Sequence, residues 1–198
     1  MSEFWDERYA PEHYYYGKEP NAFFKSCIDN ATAGKILLPG DGEGRNSVYA
    51  ATQGWDVFAF DQSKNGRKKA MMLAEEKGVE LDYRTGSILD FPPEPQSFDM
   101  VALIYFHLLP EARRIYHPYL VSALKPGGLL VMEVFGKDQI NNNSGGPKDI
   151  DLLYSAAELM DDFKKLDIIQ ATEENIIFDE SRRYQGPAAV VTFIGQKP

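Results

Sequence analysis

Three glycines, Gly40, Gly42 and Gly44, alternate with Asp41 and Glu43 directly after the apolar run Lys35-Ile36-Leu37-Leu38-Pro39. Glycine lets a backbone turn tightly and come close to a ligand without a Cβ in the way. A strand before this loop and a helix after it place the loop at the carboxyl edge of a parallel sheet, where α/β folds bind ligands. Asp61 follows Gly40 by 21 residues, at the end of a second strand-like run. A carboxylate there can accept hydrogen bonds from both hydroxyls of a ribose. A dinucleotide fingerprint requires Gly-x-Gly-x-x-Gly, but the third position is Arg45 counting from Gly40 and Ser47 counting from Gly42. Acidic residues at 41 and 43 would also crowd a pyrophosphate. They suit a cationic ligand, which disfavours a nicotinamide-dependent oxidoreductase. S-adenosylmethionine, with its sulfonium and amino groups, fits an acidic, aromatic-rich site.

Other chemistry-bearing residues sit where such a sheet would present them. Tyr105, Phe106 and His107 follow a buried strand, and His107 is a candidate base with an ordinary pKa of about 6.5. The alternative role for His107 is a helix cap or packing under Leu108 and Leu109. Trp5 and Tyr14-Tyr15-Tyr16 are candidates for a lid over a cation, Tyr16 foremost, or else plain core. Arg182, Arg183 and Tyr184 lie in a turn near the C-terminus, where Arg183 could orient an anionic substrate or simply face solvent. Asn141-Asn142-Asn143 lies in a polar loop that could fold over an acceptor. Cys27 is the single cysteine, and His13, His107 and His117 are scattered, so no metal site is expected.

The elements that must carry these residues alternate in the manner of a parallel α/β sheet. Strands are expected at Lys35–Leu38, Asp56–Phe60, Leu81–Arg84, Asp99–Phe106 and Leu129–Phe135. Helical patterns run over Asn21–Asn30, Asn46–Gln53, from a Ser63 cap to Lys77 before Gly78, and over Pro110–Leu124. Lys125-Pro126-Gly127-Gly128 reads as a sharp turn. Residues 136–154 read as a long polar loop. Ser155-Ala156-Ala157-Glu158 fits a capping box that opens a helix to about Phe163. Two antiparallel strand-like runs end the chain, near 167–179 and 188–196, with Gly186-Pro187 in the turn between them.

The chain has 198 residues, enough for one domain with a sizeable core, and 43% of them are hydrophobic. The single domain is expected to span 1–198, with residues 1–32 as a cap over the site and 136–154 as a substrate-side loop. With 21 Lys and Arg against 30 Asp and Glu, the net charge is −9, which argues against broad nucleic-acid binding. Arg67-Lys68-Lys69 reads as a solvated helix face. No run approaches the roughly 18 apolar residues of a membrane helix, and Met1 to Glu7 does not resemble a secretory signal. A cytoplasmic protein without nucleic-acid or membrane partners is expected, and no pattern encodes its oligomeric state.

With these residues in place, the sequence resembles the class I S-adenosylmethionine-dependent methyltransferases. Gly40-Asp41-Gly42-Glu43-Gly44 matches their first motif and Asp61 their acidic ribose ligand. Leu124-Lys125-Pro126-Gly127-Gly128 is similar to their late turn, and Gly86-Ser87-Ile88-Leu89-Asp90 lies where they contact adenine. Phe4-Trp5-Asp6-Glu7-Arg8-Tyr9, Tyr16-Gly17-Lys18-Glu19-Pro20-Asn21, Gly44-Arg45-Asn46 and Gly54-Trp55-Asp56-Val57 resemble the tellurite-resistance and thiopurine or thiol methyltransferase group. Leu38 departs from the wider family, which often has an acid two positions before the first glycine. The resemblance implies a Rossmann-like sheet of seven strands in the order 3-2-1-4-5-7-6, strand seven antiparallel, with helices on both faces. It implies S-adenosylmethionine as cofactor, S-adenosylhomocysteine as product, and cofactor contacts from Pro39, Gly40, Asp41, Gly42, Gly44, Arg45, Asn46, Asp61, Gln62, Ser63, Ser87, Ile88 and Tyr105. The acceptor implied is a small nucleophile, a thiol or chalcogen oxyanion, served by His107, Tyr16 and Arg183. The alternative on the same fold is a non-catalytic module that binds the cofactor or its product.

Overall fold

The computed structural model describes residues 2–181 and 184–198. The chain forms two compact units, the first ending at Pro93 and the second beginning at Glu94. In the first unit the order is α1 (Ser2–Tyr9), α2 (Ala22–Asp29), β1 (Lys35–Pro39), α3 (Arg45–Thr52), β2 (Asp56–Asp61), α4 (Lys64–Lys77) and β3 (Asp82–Thr85). β2 pairs in parallel with β1 on one side and β3 on the other. Fully buried Ile36, Leu37, Leu38, Ala59 and Phe60 fill these strands on consecutive positions, as expected of a sheet covered on both faces. Local chemistry sets the helix ends. The Asn21 side chain accepts the Phe24 N–H to start α2. The Ser63 hydroxyl accepts the Gly66 N–H to start α4, which stops at left-handed Gly78.

The second unit holds β4 (Phe98–Ile104), α5 (Pro110–Ala123), β5 (Leu124–Phe135), α6 (Ala156–Asp162), β6 (Asp167–Ser181) and β7 (Tyr184–Gln196). β4 and β5 are parallel, whereas β7 is antiparallel to both β5 and β6. The strand order across the sheet is β3-β2-β1-β4-β5-β7-β6, as the resemblance implies, with β6 outermost at one side. α6 opens on a complete capping box, in which Ser155 holds the Glu158 amide and Glu158 holds the Ser155 amide. No helix among the described residues is long and apolar enough to cross a membrane.

The secondary structure departs from the sequence reading in four places. Ser2–Tyr9 is an additional helix. The turn expected at Lys125–Gly128 lies within the span of β5, where the β4–β5 register shifts between Phe98 and Met100. The loop at 136–154 carries two short 3-10 turns, Lys137–Asn141 and Ile150–Leu152, and a bridge between Gly136 and Tyr154. Gly186 and Pro187 do not form the terminal turn. They lie inside β7, opposite Phe178 and Ile177 of β6. β5 stops pairing with β7 at Phe135 opposite Val190, so at Pro187 the only strand partner is β6, and the Pro187 carbonyl accepts the Ser144 hydroxyl at 2.6 Å instead of a further strand.

Candidate functional site

In the first unit the site is built on the turn after β1. The amides of Gly40 and Asp41 both donate to the Phe60 carbonyl, at 2.8 and 3.3 Å, which folds the loop back over the end of β2. Gly40, Gly42 and Gly44 all have positive φ, at 66°, 63° and 88°. Gly44 serves two ends. It starts α3 in the left-handed region, and a Cβ there would lie 2.7 Å from the Ala70 Cα of α4. At Gly42 a Cβ would lie 2.7 Å from the Tyr9 hydroxyl oxygen, while the Gly42 carbonyl accepts the Tyr83 hydroxyl at 2.7 Å. The glycine spacing is thus required by the packing of α4 and Tyr9 against the loop.

Asp61 ends β2 and is 8% exposed. Its Oδ2 accepts the Gly42 amide at 3.0 Å and its Oδ1 accepts the Ser63 amide at 2.8 Å. Burial raises its pKa, and the amides of Ser63, Gly42 and Gln62 oppose the rise. A carboxylate has about four acceptor positions, so each oxygen keeps capacity for a further donor, as a vicinal diol would supply. Asp41 is the other loop carboxyl. Its Oδ2 is shielded from solvent without a hydrogen-bond partner among the described residues. Burial pushes its pKa up to about 7, with Ser47 opposing and Asp61 reinforcing the rise.

The remaining residues read as cofactor contacts fall into distinct settings. Pro39 is buried at the end of β1, and Gln62 is exposed. The Ser63 hydroxyl, besides capping α4, donates to Asp6 Oδ1 at 2.7 Å. Asn46 Oδ1 accepts the Asn21 amide at 2.9 Å, and Arg45 reaches the Tyr16 carbonyl at 3.5 Å with its guanidinium over the Tyr16 ring. Ser87 turns on Asp90, its amide and hydroxyl donating to Asp90 Oδ2 at 2.8 and 2.7 Å. Ile88 is buried beside it in sequence.

The N-terminal segment is fastened to this loop by charge. Glu43 is 4% exposed and accepts the Tyr15 amide at 2.7 Å, the Tyr16 amide at 3.4 Å and Lys69 Nζ at 2.7 Å. Lys69 also donates to the His13 carbonyl at 2.6 Å. Lys69 therefore does not belong to a solvated face as its neighbours in sequence suggest, because this buried ion pair holds it. Tyr16 meets Tyr9 edge-on with ring centres 6.4 Å apart, and Trp5 stacks on Tyr9 at 5.6 Å. The contacts of Tyr9, Tyr83 and Lys69 with the glycine loop are not among the sequence expectations, which hold Tyr9 only within the N-terminal motif and Lys69 only on a solvated face. The spacing of Trp5 and Tyr9, one helical turn apart, was the available signal for Tyr9.

In the second unit the candidate residues follow β4. Tyr105 has φ 53°, an uncommon region for a residue with a side chain. Its amide donates to the Glu133 carbonyl at 2.7 Å and its hydroxyl to Glu133 Oε1 at 2.6 Å. His107 Nδ1 lies 2.7 Å from the Leu152 carbonyl, and its ring stacks on Phe135 at 5.7 Å and 16°. A carbonyl only accepts, so Nδ1 carries the proton and Nε2 the lone pair. Nε2 is shielded from solvent and unpartnered among the described residues. Burial lowers the His107 pKa to about 4, with Arg113 as a lesser cause, so the ring is neutral at physiological pH. Tyr154 accepts the Leu108 amide at 3.1 Å, and the Arg113 guanidinium lies 4.4 Å from its ring centre. Arg182 and Arg183 lie outside the described residues. No group of three or more potential metal ligands occurs among the described residues.

Comparison with known proteins places this arrangement. Residues 36–128 match a family described as a methyltransferase domain. The chain is 33% identical over 105 residues to a ubiquinone biosynthesis O-methyltransferase of Xanthomonas euvesicatoria pv. vesicatoria (strain 85-10), a match covering 52% of this chain and 44% of that relative. Among solved structures, one determined for the conversion of a disulfide bond into a thioacetal group during echinomycin biosynthesis superposes with a TM-score of 0.76 at 19% identity. It covers 100% of this chain and 92% of that one. TehB from Haemophilus influenzae superposes with a TM-score of 0.75 at 16% identity, covering 100% of this chain and 67% of that one. Residues 36–128, from β1 to the start of β5, thus match a methyltransferase domain, and the strand order β3-β2-β1-β4-β5-β7-β6 is that of a Rossmann-like methyltransferase fold.

Proposed function

We propose that the protein transfers a methyl group from S-adenosylmethionine to a small nucleophile bearing sulfur or another chalcogen. The observation that carries this reading is the pairing of a glycine loop with Asp61, whose two oxygens are fixed by backbone amides and keep acceptor capacity for a ribose diol. The loop's own carboxyls favour a cationic ligand over a pyrophosphate. When bound, S-adenosylmethionine supplies a methyl carbon made electrophilic by the sulfonium. The residues then bind, orient and exclude water rather than form covalent bonds to the substrate.

Within that reading, the loop and Asp61 hold the adenosine, and Tyr16 closes over the cationic end. His107 receives the proton of an acceptor that arrives protonated, at Nε2, because the Leu152 carbonyl keeps Nδ1 in the donor form. A small acceptor fits the acidic balance of the chain, which disfavours nucleic acid. Sulfur as the attacked or attacking atom agrees with the thiol group that the N-terminal motifs resemble. A disulfide is also what the echinomycin protein converts. A soluble cytoplasmic setting belongs to the same proposal.

Calorimetric titration with S-adenosylhomocysteine tests the cofactor, run beside an Asp61→Ala variant. Binding by the intact chain that the variant loses by tenfold or more supports the reading. Absence of binding by the intact chain overturns it. A methylation screen over thiols, selenite and tellurite then tests the acceptor class, and turnover confined to hydroxyl acceptors overturns that part.

A further inference from the structure

The loops that follow β4 and β5 meet over a buried cation that has no ion pair among the described residues. Arg113 lies in the first turn of α5, its amide on the Leu109 carbonyl at 2.9 Å, and is 4% exposed. Arginine is rarely buried this far unless a carboxylate pairs with it. Among the described residues the guanidinium makes one hydrogen bond, from Nη2 to the Asp151 carbonyl at 3.2 Å, and it rests 4.4 Å from the Tyr154 ring centre. Its Nε is shielded from solvent without a partner among the same residues. The neighbouring acids are engaged elsewhere. Asp162 is bonded by His117, one turn further along α5, at 2.9 Å. The Asp149 carboxylate accepts the Asp151 amide at 3.0 Å, Glu158 is held by Lys137, and Asp151 and Glu111 are exposed. The Tyr154 ring supplies part of a counter-charge but no hydrogen-bond acceptor for Nε.

We propose that Arg113 binds a carboxylate on the methyl acceptor, so that the acceptor is a small acidic thiol. This rests on the reading above, in which His107 takes the acceptor's proton at Nε2. His107 Nε2 and Arg113 Nε are both shielded and unpartnered among the described residues, and both side chains lie against Tyr154, the His107 ring at 5.8 Å between centres. One is an acceptor, because Nδ1 donates to the Leu152 carbonyl, and the other is a charged donor. A molecule presenting an S–H to the first and a carboxylate to the second satisfies both. A water could hydrogen-bond either atom, but it brings no charge to Arg113. The guanidinium fork matches a carboxylate better than a single-point acceptor. The pair also lies beyond the carboxyl ends of β4 and β5, where open α/β sheets take ligands. The flanking segments face solvent in part, since Tyr105 to Pro110 are half-buried and residues 148–151 exposed. In the transfer the thiol yields its proton to Nε2 and its sulfur bonds the methyl carbon. The bond from that carbon to the sulfonium breaks, and its electron pair stays on S-adenosylhomocysteine.

Mercaptopropionate, mercaptoethanol and cysteamine are short thiols whose far ends are anionic, neutral and cationic. With S-adenosylmethionine present, the wild type should methylate mercaptopropionate with a kcat/KM about ten- to a hundredfold above that for mercaptoethanol, and cysteamine least. Arg113→Met should raise KM for mercaptopropionate and bring the anionic and neutral thiols within a few-fold of each other. Arg113→Lys should keep part of the preference. Titration with S-adenosylhomocysteine shows whether each variant is folded. A readout that needs no turnover is the Nε–H resonance of Arg113 in heteronuclear NMR spectra, assigned by its loss in Arg113→Lys. Mercaptopropionate should shift it in the S-adenosylhomocysteine complex, and mercaptoethanol should not. A resonance that mercaptopropionate leaves unmoved, or equal kcat/KM for the anionic and neutral thiols, would overturn the assignment. A shifted resonance without methylation of any of the three thiols would support the anion site and overturn the thiol. Failure of the wild type to bind S-adenosylhomocysteine would overturn the cofactor reading on which the proposal rests.

Discussion

Replacing Glu43 with Gln tests whether the N-terminal segment is held by the buried ion pair. Glu43 and Lys69 have side chains only 3% and 8% exposed, and their 2.7 Å contact is completed by the Tyr15 amide and the His13 carbonyl. Removing one charge of such a pair leaves the other uncompensated, which costs about 3–5 kcal/mol. Glutamine keeps one acceptor oxygen for Lys69 or for Tyr15, so the lower end applies, about 3 kcal/mol. For a chain of this size each kcal/mol shifts the melting temperature by about 2–4 °C, so a drop of about 6–12 °C is expected by calorimetry. Amide exchange at Tyr15 and Tyr16 should accelerate together, since both amides rest on the same carboxylate oxygen. The double variant Glu43→Gln with Lys69→Met removes the stranded charge and should recover much of the loss. A drop of under 2 °C in the single variant, with unchanged exchange at Tyr15, would refute the ion pair as the fastening.

Gly44→Ala should destabilise by about 3 kcal/mol, combining a left-handed backbone with a contact against the Ala70 backbone that must push α3 from α4; thermal melts check it. His107 has a folded pKa of about 4 against an ordinary 6.5. Between those values the unfolded chain binds a proton that the folded chain refuses, so stability falls as pH drops through that window, by up to about 3 kcal/mol. His107→Gln should flatten this slope in denaturant titrations. Asp41 acts in the opposite sense. Its folded pKa of about 7 lies above the ordinary 3.8, so stability present at low pH is lost as pH rises through 7. Asp41→Asn should therefore be the more stable protein at pH 7.5 and lose its advantage near pH 4, as parallel melts would show.

What the sequence made legible was whatever is decided within a few residues. The Ser155–Glu158 box, the Ser63 start and the Gly78 stop are local chemistry, and these helix ends lie within a residue or two of the positions expected for them. The glycine loop and Asp61 were legible because strand, loop and acid follow one another at a characteristic spacing. The partners of the site were not. Lys69 looked solvated because its neighbours Arg67 and Lys68 are exposed, and nothing local reveals a carboxylate 26 positions away. His107 lies 45 positions from the carbonyl that fixes its tautomer. Gly186-Pro187 carries the strongest turn signal near the C-terminus, yet tertiary pairing with β6 overrides it.

The outermost strand has a bearing on how the protein behaves in a crowded solution. Among the described residues β6 has a strand partner on one side only, β7, and Ile168, Ile169 and Ile177 are 41%, 60% and 78% exposed along it. Such an edge is a template onto which a second chain can zip. Its middle is interrupted by Glu173 and Glu174, and the chain as a whole carries −9. Colloidal behaviour is thus governed by the carboxylates along this strand. Near the isoelectric point of about 4.9 those carboxylates no longer keep copies apart, and the strand becomes adhesive. Purification above pH 7 keeps that guard in place, and a lysine in place of Ile177 would extend it into acid.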